Sequence, residues 1–181
     1  MPKVRARGNR LGGHLIVDGY NLGRSGALPF ESDPASAEGR NELCALLSAY
    51  SREKGLRLTV VFDGRGSGNP ERTRAAFKGG TAVYSSRSET ADDMIRDLAR
   101  GAPAGTIVVT SDRGLAGTLP SRNIPVISCM EFAARLYSRW IADLKGGPEE
   151  EPRPDRDGVK KGAGHRPKKQ ERKRDRLLRK L

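Results

Sequence analysis

Three aspartates end short apolar runs, in Ile16-Val17-Asp18, Val61-Phe62-Asp63 and Val109-Thr110-Ser111-Asp112, and a fourth, Asp92, follows Thr90-Ala91. Gly or Ser lies beside each of the three run-ending acids. In open α/β sheets ligands bind outside the carboxyl ends of the strands, so acids placed there converge on one cleft. Crowded carboxylates repel one another, and a divalent cation relieves the repulsion. Oxygen donors of this kind suit Mg²⁺ or Mn²⁺. The chemistry such a set supports is in-line cleavage of a phosphodiester by water. Asp18, Asp92 and Asp112 are the expected catalytic acids. All three are also expected metal ligands, with Asp63 as the fourth.

Each acid also has an ordinary explanation. Asp63-Gly64 is a turn signal, and Asp112 suits a helix N-cap. Thr90-x-x-Asp93 is a near variant of the capping box, which accounts for Asp93 better than for Asp92. Asn21, three residues after Asp18, suits a turn as well as a site; it and Asp93 are expected in supporting roles. Arg24, Arg65, Arg72, Arg74 and Arg87 fall in loops near predicted strand ends, where they are expected to grip phosphates.

Other chemistries find no footing. His14 and His165 are isolated and no His/Cys cluster exists, which argues against zinc. Two histidines give no visible Ser-His-Asp set. Gly64-Arg65-Gly66-Ser67-Gly68 lacks the Gly-Lys-Ser/Thr ending of a phosphate-binding loop. Asp18-Gly19-Tyr20 lacks the second aspartate of a haloacid-dehalogenase phosphatase.

The elements that must position these residues follow from hydrophobic periodicity. Strands are predicted at 14–18, 57–63, 81–85, 105–110 and 124–128, and helices at 36–54, 90–100, 112–118 and 129–144. Leu43, Leu46, Leu47 and Tyr50 share one face of the first helix, and Gly55 stops it. Residues 64–80 read as a flexible basic loop with at most a helical turn. Strands separated by helices imply parallel pairing and right-handed crossovers, hence a three-layer α/β domain.

The chain has 181 residues, enough for one domain with an appendage, and a net charge of +12. That excess favours a polyanionic partner, nucleic acid above all. Aromatics make up only 5% of residues, fewer than a protein that grips single strands mainly by base stacking would carry. No apolar run is long enough to span a membrane, and no secretory h-region is visible. Cys44 and Cys129 are far apart and outside any C-x-x-C pattern, so both are expected as buried, reduced thiols, and the expected compartment is the cytoplasm. Composition changes at Gly146-Gly147-Pro148. From residue 149 there are 13 Lys/Arg against 7 Asp/Glu, and almost no apolar residue before Leu177-Leu178. The domain is therefore placed at 12–145 and a basic tail, either a disordered arm or a contact for RNA or the ribosome, at 146–181.

Ile16-Val17-Asp18-Gly19-Tyr20-Asn21, Val61-Phe62-Asp63-Gly64, Glu89-Thr90-Ala91-Asp92-Asp93-Met94-Ile95 and Val109-Thr110-Ser111-Asp112 together resemble the NYN domain, and within it the YacP-like bacterial group of the PIN-like nuclease class. The order and spacing of all four blocks match over roughly residues 12–143. The resemblance implies a Rossmann-like parallel sheet and a metal-dependent endoribonuclease. It also implies an RNA partner, messenger RNA first, with the ribosome as a further contact. It assigns the acid of the first strand to Asp18, its polar companion to Asn21, the acid at the helix start to Asp92 and the acid after the fourth strand to Asp112. Asp63 matches a more variable position. The rival expectation is a non-catalytic RNA- or ribosome-binding adaptor of the same fold. A pure binder of polyanions has no reason to hold acids in its cleft. Oligomeric state is not legible in these residues.

Overall fold

The computed structural model describes residues 13–65, 68–119 and 124–144, together with Asp175. The N-terminal segment and the basic tail, Asp175 apart, lie outside them. The chain runs β1 (Gly13–Asp18), α1 (Gly19–Gly23), α2 (Ala37–Glu53), β2 (Leu56–Phe62), β3 (Thr73–Phe77), β4 (Gly80–Tyr84), α3 (Ala91–Arg100), β5 (Thr106–Val109), α4 (Arg113–Thr118), β6 (Val126–Ile127) and α5 (Cys129–Leu144). The sheet order is β3-β4-β2-β1-β5-β6. β1 lies inside the sheet, parallel to β2 on one side and to β5 on the other.

β1 is buried on both faces, which is why its sequence reads as a near-continuous apolar run. Leu15 and Val17 face a core shared with Leu43 and Leu47 of α2 and Phe132 and Leu136 of α5. Ile16 faces the other side, with Met94 and Ile95 of α3 and Leu115 of α4. The three layers expected from the sequence are present. Crossovers from β1 lead through α1 and α2 to β2. After β4 the chain crosses back through α3 to β5, on the opposite side of β1. The strand order reverses at β1, which opens a crevice at its carboxyl end.

Local signals mostly hold. The Ser36 hydroxyl caps α2, accepting from the Gly39 N–H at 2.9 Å, and Gly55 ends it at φ 63°. Both cysteines are free and buried. Among the described residues no helix is long and apolar enough to cross a membrane.

The stretch 64–80 is not a loop throughout. Thr73–Phe77 forms β3, antiparallel to β4, and makes the outer edge of an otherwise parallel sheet. Thr73-Arg74-Ala75-Ala76 is exposed and lacks apolar alternation, so nothing in its own side chains announces a strand. The hairpin turn supplies the order instead. Gly79 sits at φ 91° in the left-handed region, and the Ser48 hydroxyl of α2 donates to the Lys78 carbonyl. β6 shrinks to two residues, and the short α1 is an element the periodicity did not predict.

Candidate active site

Asp18 is the last residue of β1 and the N-cap of α1. Its Oδ1 accepts from the Asn21 N–H at 3.1 Å and its Oδ2 from the Thr110 hydroxyl at 3.2 Å. The residue is only 7% exposed, and no described Lys or Arg pairs with it. Burial pushes its carboxyl up to about 6; the two hydrogen bonds oppose this, and the charges of Asp92 and Asp112 add to it. Gly19 must be glycine for packing, because a Cβ there would stand 2.4 Å from the Phe62 ring. Gly64 has the same kind of reason: a Cβ would meet the Ser85 carbonyl oxygen at 2.1 Å. Both Asp-Gly pairs therefore mark close approach at a strand end rather than a positive-φ turn.

Asp112 caps α4, its Oδ1 accepting from the Leu115 N–H at 2.8 Å. Its own N–H donates to the Thr110 hydroxyl oxygen at 3.1 Å. One hydroxyl thus links two acids, donating to Asp18 and accepting from the backbone of Asp112. Asp92 stands in the first turn of α3. Burial and the charge of Asp112 push its carboxyl above the usual range, while Arg96, 3.9 Å away, works against them. Asp93 completes a capping box with Thr90, accepting from its N–H at 3.2 Å and hydroxyl at 2.8 Å, and pairs with Arg96 at 2.7 Å. Those bonds hold the Asp93 carboxyl below the usual range and occupy it structurally. Asp63 accepts from the Arg65 N–H at 2.9 Å and its Nε at 3.1 Å.

Asp18, Asp63, Asp92 and Asn21 line one cleft of about 510 Å³, together with Arg24, Arg65, Ser111 and Met130. Asp112 belongs to the same electrostatic group through its effect on Asp18 and Asp92. Asn21 takes a role the sequence does not reveal. Its Oδ1 accepts from the Ser111 N–H and from the Cys129 thiol, each at 3.2 Å, which locks α1, the end of β5 and the start of α5 together. Burial keeps that thiol protonated, as a donor must be. The amide oxygen is thus occupied by two protein donors.

The five arginines separate. Arg24 and Arg65 reach the cleft. Arg72 does not: it bonds Glu89 through two nitrogens and Asp97 at 2.6 Å, fastening the start of β3 to α3. Arg74 is exposed on β3, and Arg87 is exposed with its backbone N–H donating to the Asn69 carbonyl at 2.9 Å. Sequence reasoning also passed over Thr110, Tyr20 and Met130. Thr110 stood inside a quoted motif, and its position directly after the apolar run of β5 was the available signal.

Hard oxygen donors, a buried carboxylate with no cationic partner among the described residues and two neighbouring acids whose charges push it up fit a divalent cation. Among the described residues no three His, Cys, Asp or Glu side chains close around a point as a complete ligand cage does. Mg²⁺ needs no such cage, since it usually keeps several waters and takes one or two carboxylates.

A mostly parallel three-layer α/β sheet with acids gathered at the carboxyl end of its inner strands defines an NYN-type domain of the PIN-like nuclease class, a class that generally uses divalent metal ions. The chain belongs to the YacP-like NYN domain family, whose sequence model matches residues 15–156. That match runs past residue 145, where composition places the end of the domain. The fold is similar to two crystal structures of Rae1 (YacP) from Bacillus subtilis. One, a tryptophan-to-leucine mutant, is 24% identical with a TM-score of 0.58, over 74% of this chain and 80% of that one. The other is 26% identical with a TM-score of 0.54, over 73% and 79%. No curated protein matches the chain.

Proposed function

We propose that this protein is a metal-dependent endoribonuclease that cuts RNA, messenger RNA first, with the ribosome as a further contact. The observation that carries the reading is the buried Asp18 carboxylate, pushed up to about 6 and facing the charges of Asp92 and Asp112 with no described cation paired to it. A binding module for polyanions gains nothing from such a group, since carboxylates in the cleft repel the ligand. Asp18, Asp92 and Asp112 would hold Mg²⁺ or Mn²⁺, with Asp63 able to join once Arg65 turns to a phosphate. What such an ion supplies when bound is Lewis acidity toward water and the phosphate oxygens.

The chain's own residues do the rest. Thr110 fixes Asp18 through Oδ2 and the backbone of Asp112, so the two acids keep one spacing. Asn21 holds the three converging segments rigid. Arg24 and Arg65 bind phosphate and set the register of the strand. The arrangement suits hydrolysis in which water attacks phosphorus opposite the departing 3′ oxygen.

The experiment is incubation of purified protein with end-labelled RNA in Mn²⁺, Mg²⁺ or EDTA, with and without ribosomes. Cleavage is expected with metal, none with EDTA, and none by a folded Asp18→Asn variant. A folded, RNA-binding protein that leaves RNA whole under every condition would establish the adaptor reading instead.

A further inference from the structure

Met130 is 58% exposed, one of two large apolar side chains at the described surface that are so open, and it lines the same cleft as the acids. It stands at the second position of α5. The backbone there is fixed by the Cys129 N–H, which donates to the Ser111 hydroxyl at 2.9 Å, and by the Cys129 contact with Asn21. Across α1, the Arg24 guanidinium lies 5.1 Å from the centre of the Tyr20 ring. Tyr20 itself is held: its ring meets Phe62 edge-on at 5.2 Å and its hydroxyl accepts from Arg40 at 3.3 Å. Arg24 forms no ion pair among the described residues, unlike Arg65 and Arg72. A stacked, unpaired guanidinium and an exposed thioether at the rim of a site for phosphodiesters call for a ligand with a flat apolar face.

We propose that Met130 and the Tyr20-backed Arg24 form a subsite for a nucleobase beside the acids, so that the cleft takes a base-bearing strand rather than a sugar-phosphate backbone alone. The proposal rests on the nuclease reading for its substrate class, but not on catalysis. A thioether adds nothing to phosphate binding, whereas it packs well against a π face. Guanidinium planes and aromatic rings are the surfaces on which unpaired bases stack. Met130 thereby supplies contact area that the low aromatic content of the chain does not.

The test uses the full-length Asp18→Asn protein, which keeps its substrate whole, and two fluorescent probes of equal length: a single-stranded oligoribonucleotide and an abasic ribose-phosphate chain. The base-bearing probe is expected to bind several-fold more tightly. Met130→Ala should cut that preference about three- to tenfold, as expected for loss of a sulfur–π contact. Met130→Leu should keep most of it, and neither change should shift the melting temperature. Equal affinity for the two probes, or a preference unaltered in Met130→Ala, would overturn the subsite. Absence of cleavage by the wild-type protein with the preference intact would remove the nuclease chemistry and leave the base subsite standing.

Discussion

At the scale of single residues, two buried titratable groups on β1 respond to acid in opposite senses. His14 donates or accepts at 2.8 Å with the Thr59 hydroxyl, and its Nδ1 has no partner among the described residues. Burial, with the charge of Arg57 behind it, lowers its pKa from 6.5 to about 4. The unfolded chain therefore takes up that proton first, and stability is lost as pH falls from about 6.5 to about 4. Asp18 runs the other way. Its folded pKa of about 6 lies above the unfolded 3.8, so its contribution is intact below about pH 4 and lost as pH rises through 6. In EDTA the two slopes offset each other, and urea titrations across pH 4–7 of single variants should separate them. Asp18→Asn is expected to be more stable than wild type at pH 7, by on the order of 2 kcal/mol, with the gain vanishing near pH 4. His14→Gln should flatten the acid limb. Millimolar Mn²⁺ should raise the wild-type melting temperature and not that of an Asp18→Asn/Asp112→Asn protein. An Asp18→Asn protein no more stable than wild type at neutral pH would mean that its burial carries no penalty. The cleft positions of Asp18 and Asp63 were legible because an acid that closes an apolar run marks a strand end. Thr110, and the joint that Asn21 makes, were not, because their partners lie ninety or more residues away.

At the scale of elements, the parallel strands and the longer helices could be read from periodicity, since each buries a stripe or a run that only one secondary structure explains. β3 could not. Its order comes from the edge offered by β4, a glycine turn and the Arg72 clamp, all of which are tertiary. The clamp separates two arginines that look alike in sequence. Arg72→Gln should loosen β3 and cost less than about 1 kcal/mol, since its ion pairs are partly exposed and screened. It should leave the salt dependence of RNA binding unchanged. Arg24→Gln should leave stability unchanged and make log Kd less steep against log salt concentration, by roughly one unit of slope. The check is RNA affinity measured across a salt series for both variants. A shallower slope for Arg72→Gln would return that residue to the RNA surface.

At the scale of the whole molecule, charge divides between a domain that holds acids in its cleft and a tail in which 13 Lys/Arg outnumber 7 Asp/Glu. Residues 149–181 carry 13 of the 34 Lys and Arg. Removing them should leave folding and low-salt cleavage intact while weakening RNA or ribosome association and reducing its salt slope. Binding isotherms of full-length and truncated protein decide it, and equal affinity with equal slope would reduce the tail to a solubilising arm.

The Asn21 joint sets a condition on when activity can first appear. Its amide oxygen gathers Ser111 and Cys129, separated from it by 90 and 108 residues of chain. β1, the first strand described, lies between β2 and β5, so it waits for a partner made about ninety residues later. Contacts of such long sequence separation carry a loop-closure cost that local ones do not, and they form late. A chain still emerging from synthesis, or arrested part-way in refolding, holds Asp18 without Thr110, Asp112 or Met130 beside it. The proposed cleavage is therefore expected to arrive in one step with the completed domain, and a fragment ending before the first turn of α5 is expected to be inert.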